Sequence, residues 1–322
     1  ELNTPENQII QKNWSYPLQI EEKKEVKKIV IQKTAEHIEK LKKREFSQSA
    51  LNLYLRCPLQ FYLRYVADIR EPNELEEVMD AGSFGNVLHK AIEILYTDFL
   101  QKTATADMIR AKLPHLKTAL NDAFKEEYQS YEELKGQNLL AYDMMLQSLK
   151  KIILLDISLA ETHPFEIMHL EGDLRRTIST NVGDEITLQG KIDRVDKIGD
   201  IIRIIDYKTG KVELINQKNF VADKISMIFE RGNLKIKPQT FQGLFYQYLM
   251  NENNAQIGFY SIRDLKNGIQ YLNEGLLIPT DIQDEFENGL KDLLEEILDI
   301  NTPFVQNEDA AAYQYSPYQF VV

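Results

Sequence analysis

The sequence predicts an α/β fold in which a central mixed sheet is flanked by helices, with a helical insertion over about residues 100–160. Three observations carry that expectation. Apolar residues recur at helical spacing between Phe84 and about Tyr131 and again from about Asn138 to Glu161, interrupted by glycine only at Gly85 and Gly136. His163-Pro164 closes this region, and three strand patterns follow in succession: FEIMHLEGDL, EITLQGKIDRVDKI and DIIRIIDYKTG. Helical spacing then returns over residues 239–250, AQIGFYSI reads as another strand, and residues 280–300 form a last amphipathic helix.

Taken in order, residues 22–44 combine strong helix formers with mixed charge and few apolar anchors, which reads as an exposed helix or linker. From Ser47 the character changes. SQSALNLYLRCPLQFYLRYV carries apolar and aromatic residues at helical spacing, Ser47 or Ser49 is placed to cap it, and Pro58 divides it into two short helices. Gly199-Asp200 fits a tight hairpin turn between the second and third strands. The aromatic tail DAAAYQYSPYQFVV matches neither period. The expected organisation is an N-terminal extension or linker over residues 1–46 and one domain over residues 47–322. Residue 1 is Glu rather than Met, so a fragment of a longer polypeptide is expected.

A chain of 322 residues with 43% hydrophobic and 27% charged content can bury a substantial core. It holds no apolar run of about 18 residues and no signal-peptide pattern at its start, so a soluble, cytoplasmic protein with no membrane partner is expected. Cys57 is the only cysteine, which excludes an internal disulfide framework and a cysteine-rich metal site. A net charge of −12 argues against a general nucleic-acid coat, because such binding rests on neutralising phosphates. Any DNA contact must be local, and Lys208, Lys211, Lys218, Lys224, Arg231, Lys235 and Lys237 concentrate the basic charge in one stretch. Taken alone, that stretch reads more simply as a solvated surface.

The strongest chemical signal is Ile204-Ile205-Asp206-Tyr207-Lys208, a β-branched strand ending in an acid and a base two positions apart. Side chains alternate along a strand, so Asp206 and Lys208 share a face. Asp193, in GKIDRV, lies on the strand that the hairpin lays alongside. Two carboxylates with a lysine in reach suit phosphodiester hydrolysis, since hard carboxylate oxygens hold Mg²⁺ and the ion activates water and offsets phosphate charge. An isolated D-x-K is more often a surface ion pair contributing about 0–1 kcal/mol. Likewise, His89 between Leu88 and Ala91 reads alone as a packed helix residue, and Tyr246 beside Phe245 and Tyr248 as core.

GKIDRVDKIGDIIRIIDYKTG resembles the core motif of PD-(D/E)XK nucleases of the RecB/AddB-like branch, in which an Asp on one strand precedes a D-Y-K-T-G on the next. SQSALNLYLRCPLQFYLRYV is similar to the branch's opening S-x-S-x-L-x-x-Y-x-x-C-P-x-x-F-Y segment, FGNVLHKAIE to its G-x-x-x-H helix, and Gln242 with Tyr246 to its Q-x-x-x-Y helix. The resemblance runs from about Ser47 to the C-terminus and implies a restriction-endonuclease-like core. It implies that Asp193 and Asp206 ligate Mg²⁺ or Mn²⁺ with the Tyr207 carbonyl, that Lys208 handles the attacking water, and that His89 is a further ligand or an orienting group. Gln242 and Tyr246 would support the site or contact DNA, Lys211 would contact DNA, and Glu171 would approach from the preceding strand in a supporting role.

Many members of the branch hold an iron–sulfur cluster with one Cys before the core and three after it. Here Cys57 stands at the first position, while Tyr313, Ser316 and Val322 occupy the frame of the others. Oxygen and hydrocarbon side chains cannot replace thiolates there, so no cluster is expected. The clasp between the Cys57 helix and the tail would instead be made by packing of Tyr313, Tyr315, Tyr318 and Phe320. The function implied is metal-dependent DNA cleavage, exonucleolytic on single strands, beside a helicase or helicase-like region or subunit. The rival reading is a catalytically weak DNA-binding or scaffolding module that keeps the nuclease fold.

Overall fold

The computed structural model describes residues 28–69, 79–128, 135–231, 237–309 and 318. The chain opens with β1 (Val30–Ile31), α1 (Ala35–Lys42), β2 (Phe46–Ser47), α2 (Gln48–Arg56) and α3 (Pro58–Phe61). Ser47 caps α2 by accepting from the Ala50 amide, and Pro58 opens α3, where its missing N–H is not needed. The helical region comprises α4 (Ala81–Tyr96), the short edge strand β3 (Thr103–Ala104), α5 (Ala106–Arg110), α6 (Leu116–Glu127) and α7 (Gln137–Thr162). Then come β4 (Phe165–Ser179), β5 (Glu185–Ile198), β6 (Ile201–Lys208), α8 (Ala222–Ser226), α9 (Pro238–Met250), β7 (Ala255–Ser261), β8 (Ile269–Tyr271), α10 (Thr280–Leu298) and β9 (Phe304–Val305).

Among the described residues seven strands form the central sheet, in the order β3-β4-β5-β6-β7-β8 with β2 paired to β5. It is mixed: β6 and β7 run parallel, as do β2 and β5, and the remaining pairs are antiparallel. Gly199, at a φ of +56°, makes the turn between β5 and β6 that its sequence suggested. The parallel step from β6 to β7 is bridged by α8 and α9, as parallel neighbours require a long crossover.

Each face of the sheet is covered by its own core. Alternation along β6 sends Ile204 into one core, shared with Phe241 and Phe245 of α9 and Leu290 and Leu294 of α10. Ile205 and Tyr207 enter the other, shared with Val87 and Leu88 of α4, Phe124 of α6 and Ile152 of α7. Side chains of this size contribute about 1.5–3 kcal/mol each when fully buried, so both layers are held to the sheet chiefly by apolar contact.

Two expectations are corrected. The helical run expected from Phe84 to about Tyr131 is broken after Tyr96, because Thr103 and Ala104 pair with Glu166 and Phe165 at the sheet edge. Residues 22–44 are not simply an exposed helix or linker: from residue 28 onward β1 pairs with β9, and Leu41 of α1 is fully buried in the α9–α10 core. Their first part, residues 22–27, lies outside the described residues. Of the tail residues expected to clasp the Cys57 helix, Tyr318 is buried with Cys57, Leu59 and Leu63, and its hydroxyl donates to the Ile69 carbonyl at 2.7 Å. Tyr313, Tyr315 and Phe320 lie outside the described residues.

Candidate active site

Arg194 pairs with Ile205 across β5 and β6, which sets Asp193 opposite Asp206 on the same face of the sheet. The Asp193 Oδ2 accepts the Tyr207 amide at 2.7 Å, so the first carboxylate is locked to the backbone of the strand bearing the second. Asp206 is held from two directions. Its Oδ1 accepts from Gln242 Nε2 at 2.9 Å, and its Oδ2 faces Lys208 Nζ at 2.9 Å as an ion pair. Gln242 also contacts the Tyr246 hydroxyl at 2.8 Å, one turn further along α9. Residues 193, 206 and 208 thus share one pocket, braced from α9.

His89 enters from the opposite layer, on α4. Its Nε2 donates to the Tyr207 carbonyl at 2.8 Å, which can only accept, and its Nδ1 faces Asp193 Oδ1 at 3.4 Å and Glu171 Oε1 at 3.8 Å. Glu171 arrives from β4, between the pairs Leu170–Arg194 and Gly172–Ile192, and therefore opposite Asp193. It adopts a φ of +48°, a left-handed conformation inside a strand that costs a non-glycine residue on the order of 1–3 kcal/mol and concentrates at functional sites. Lys191 Nζ holds its other oxygen at 2.7 Å.

The ionisation of these groups reflects burial together with the charges around them. Burial opposes the charged form of His89, yet Asp193, Asp206 and Glu171 together push its pKa up to about 9. Burial, reinforced by Asp193, lifts Asp206 to about 7 in spite of Lys208 and His89. Burial likewise raises Glu171 against the pull of Lys191. One imidazole and two carboxylates, from His89, Glu171 and Asp193, present ligand atoms within 4.8 Å of one another, with Asp206 across the hairpin. This oxygen-rich, largely buried donor set fits a divalent cation.

Beneath the site lies a buried network with no counterpart among the sequence-based expectations. Asp156 of α7 accepts from Arg194 at 2.7 Å, from the Tyr96 hydroxyl at 2.5 Å and from the Tyr260 hydroxyl at 2.7 Å. Arg194 reaches on to Asp196, which forms two hydrogen bonds with Arg203 at 2.6 and 2.7 Å. The network fastens α4, α7 and β7 to the strand that carries Asp193. Lys211, expected to touch DNA, is exposed and pairs with Glu213, which also pairs with Lys237.

A family model described as the PD-(D/E)XK nuclease superfamily matches residues 45–318. The chain belongs to that superfamily. Proteins named as a subunit of an ATP-dependent helicase/deoxyribonuclease are similar to it and bear out the AddB-like resemblance. That of Carboxydothermus hydrogenoformans is 28% identical over 188 residues, 54% of this chain and 17% of the relative. The Clostridium tetani protein is 26% identical over 183 residues, 52% of this chain and 16% of the relative. The Alkaliphilus oremlandii protein is 23% identical over 223 residues, 62% of this chain and 19% of the relative. The match thus spans under a fifth of each of these relatives.

In this domain Asp193, Asp206 and Lys208 converge on one pocket, and two further residues lie against it. Lys191, two positions before Asp193, was passed over, although period-2 alternation puts it on the same face. Glu171 forms, with His89 and Asp193, a group that could hold a metal ion.

Proposed function

We propose that this domain hydrolyses phosphodiester bonds of DNA with a divalent ion, Mg²⁺ or Mn²⁺, acting from ends on single strands. The observation that carries this reading is the convergence of Asp193, Asp206, Lys208 and His89 from two strands and a helix onto one buried, electron-rich pocket. Asp193, Asp206, His89 and Glu171 would hold the ion, and the Tyr207 carbonyl, which accepts from His89 Nε2, would contribute a further oxygen. A bound divalent ion supplies Lewis acidity, lowering the pKa of water and offsetting charge that builds on the phosphate. Lys208 orients the attacking water and adds positive charge beside the phosphate. Gln242 fixes the Asp206 carboxylate so that its second oxygen stays turned into the pocket. Tyr246 and Lys211 are assigned to support of the site and to DNA contact respectively.

The relatives' names join a helicase to a deoxyribonuclease, which supports placing this domain beside a helicase or helicase-like region in DNA repair or recombination. Work on DNA in the cytoplasm belongs to the same proposal. No helix among the described residues is long and apolar enough to cross a membrane. The test is incubation of end-labelled single- and double-stranded DNA, linear and circular, with Mg²⁺, Mn²⁺ or chelator. The expected result is degradation of linear single strands that chelator and Asp206→Ala each abolish. An intact substrate with the wild-type chain and either metal would instead favour the scaffolding module.

A further inference from the structure

Resting on that reading, we infer that the groove beside the C-terminal end of β6 seats the unstacked bases of a single DNA strand. The groove has a volume of about 620 Å³ and is formed where the N-terminus of α4, the middle of α7 and the segment after β7 meet. Its apolar lining comes from Met79, Phe84, Met144 and Ile262, and Lys151 and Arg263 stand at its rim. Thr209 and Gly210, which also line it, directly follow Lys208. The Ser261 hydroxyl donates to the Gly210 carbonyl at 2.9 Å and ties that segment to the end of β7. A phosphate held at Lys208 therefore has its neighbouring nucleotide within reach of the groove.

The chemistry of the lining selects among nucleic acids. A duplex keeps its bases stacked and presents phosphates, for which an apolar floor offers nothing. A single strand exposes base faces that stack on aromatic and apolar side chains while cations follow its backbone. Phe84 supplies the aromatic face, and the thioethers of Met79 and Met144 adapt to bases of different shape, so tolerance of sequence is expected. Met144 is 52% exposed and lines the groove. Lys151 and Arg263 are exposed and have no ion-pair or hydrogen-bond partner among the described residues, unlike Lys211 and Lys237, which Glu213 neutralises. Two acids also border the groove: Asp80, which caps α4 by accepting from the Ser83 amide, and Asp143, both exposed.

The experiment measures binding in chelator, where no cleavage occurs, using a fluorescein-labelled oligothymidylate and a duplex of equal length against the intact chain. Met144→Asp and the double variant Lys151→Glu/Arg263→Glu change exposed side chains, and circular dichroism checks that both fold. Each is expected to weaken single-strand affinity about tenfold or more while leaving duplex affinity unchanged. Unchanged single-strand affinity in both groove variants, or an equal loss for duplex, overturns the groove assignment. Absence of cleavage by the wild type with metal present would overturn the proposed activity instead, and the binding measurement reads the groove independently of it.

Discussion

At the scale of single residues, the site depends on how each carboxylate is held. Gln242 donates to Asp206 Oδ1 and holds that carboxylate from α9. Loss of such an outer support costs roughly 10–100-fold in metal affinity or activity. Gln242→Ala is therefore expected to reduce cleavage by about that factor, with its thermal stability near that of the wild type; full activity would remove the residue from the site. Glu171→Gln keeps the shape and removes a charge from the ligand group. Calorimetric titration with Mn²⁺ should show weaker binding for this variant, and an unaltered isotherm would show that Glu171 only balances Lys191. The role of the motif residues came from the family resemblance, but that Asp206 and Lys208 share a face was legible from alternation, and that Asp193 lies beside them from the hairpin that Gly199 turns. The backbone conformation of Glu171 was not, because a left-handed residue inside a strand follows from what the surrounding sheet imposes and not from local preference.

At the scale of elements, the helical insertion is fastened to the sheet by charge as well as by apolar packing. Asp156, fully buried on α7, is kept ionised by Arg194 and by the hydroxyls of Tyr96 and Tyr260, which together overcome its burial. Removing one partner of such a group strands the other: Asp156→Ala leaves Arg194 short of a counter-charge and is expected to destabilise the domain by about 3–5 kcal/mol in denaturant unfolding. A loss below about 1 kcal/mol would mean that the network contributes orientation rather than stability. From the sequence, Asp156 looks like any acid on a helix, since burial of a charge is a property of the neighbours.

Lys33 gives a pH-dependent counterpart in the segment before α1. It donates to the Glu296 carbonyl of α10 at 2.7 Å and lies over the ring of Phe304, and burial draws its pKa from 10.5 down to about 8. Between those values the unfolded chain binds the proton that the folded chain has released, so stability rises with pH across this interval. Relative to Lys33→Met, the wild type is expected to gain stability from about pH 8 toward pH 10.5; a constant difference between the two in urea titrations would contradict this.

At the scale of the whole molecule, segments from opposite ends of the domain close onto the helices that precede the nuclease core. β1 pairs with β9, and Tyr318 fills the apolar cluster around Cys57. Truncating a large buried aromatic costs about 3–5 kcal/mol, so Tyr318→Ala is expected to lower the unfolding midpoint measurably, and deletion of residues 310–322 to do so at least as strongly. An unchanged melting temperature in both would show that the clasp contributes nothing to stability. The sequence by itself determined the succession of a helical region, three strands, a helix, a strand and a last helix, and the mixed sheet between helices, because period and turn chemistry are local properties, while the superfamily was legible as a motif resemblance. Only the tertiary structure decided that His89 and Gln242 meet at the same pocket from opposite layers, that Glu171 joins the ligand group, and that a charged network lies beneath it. Those outcomes depend on which surfaces the two cores press together across the sheet, and segments far apart in the chain carry no local mark of the partner they will bury against.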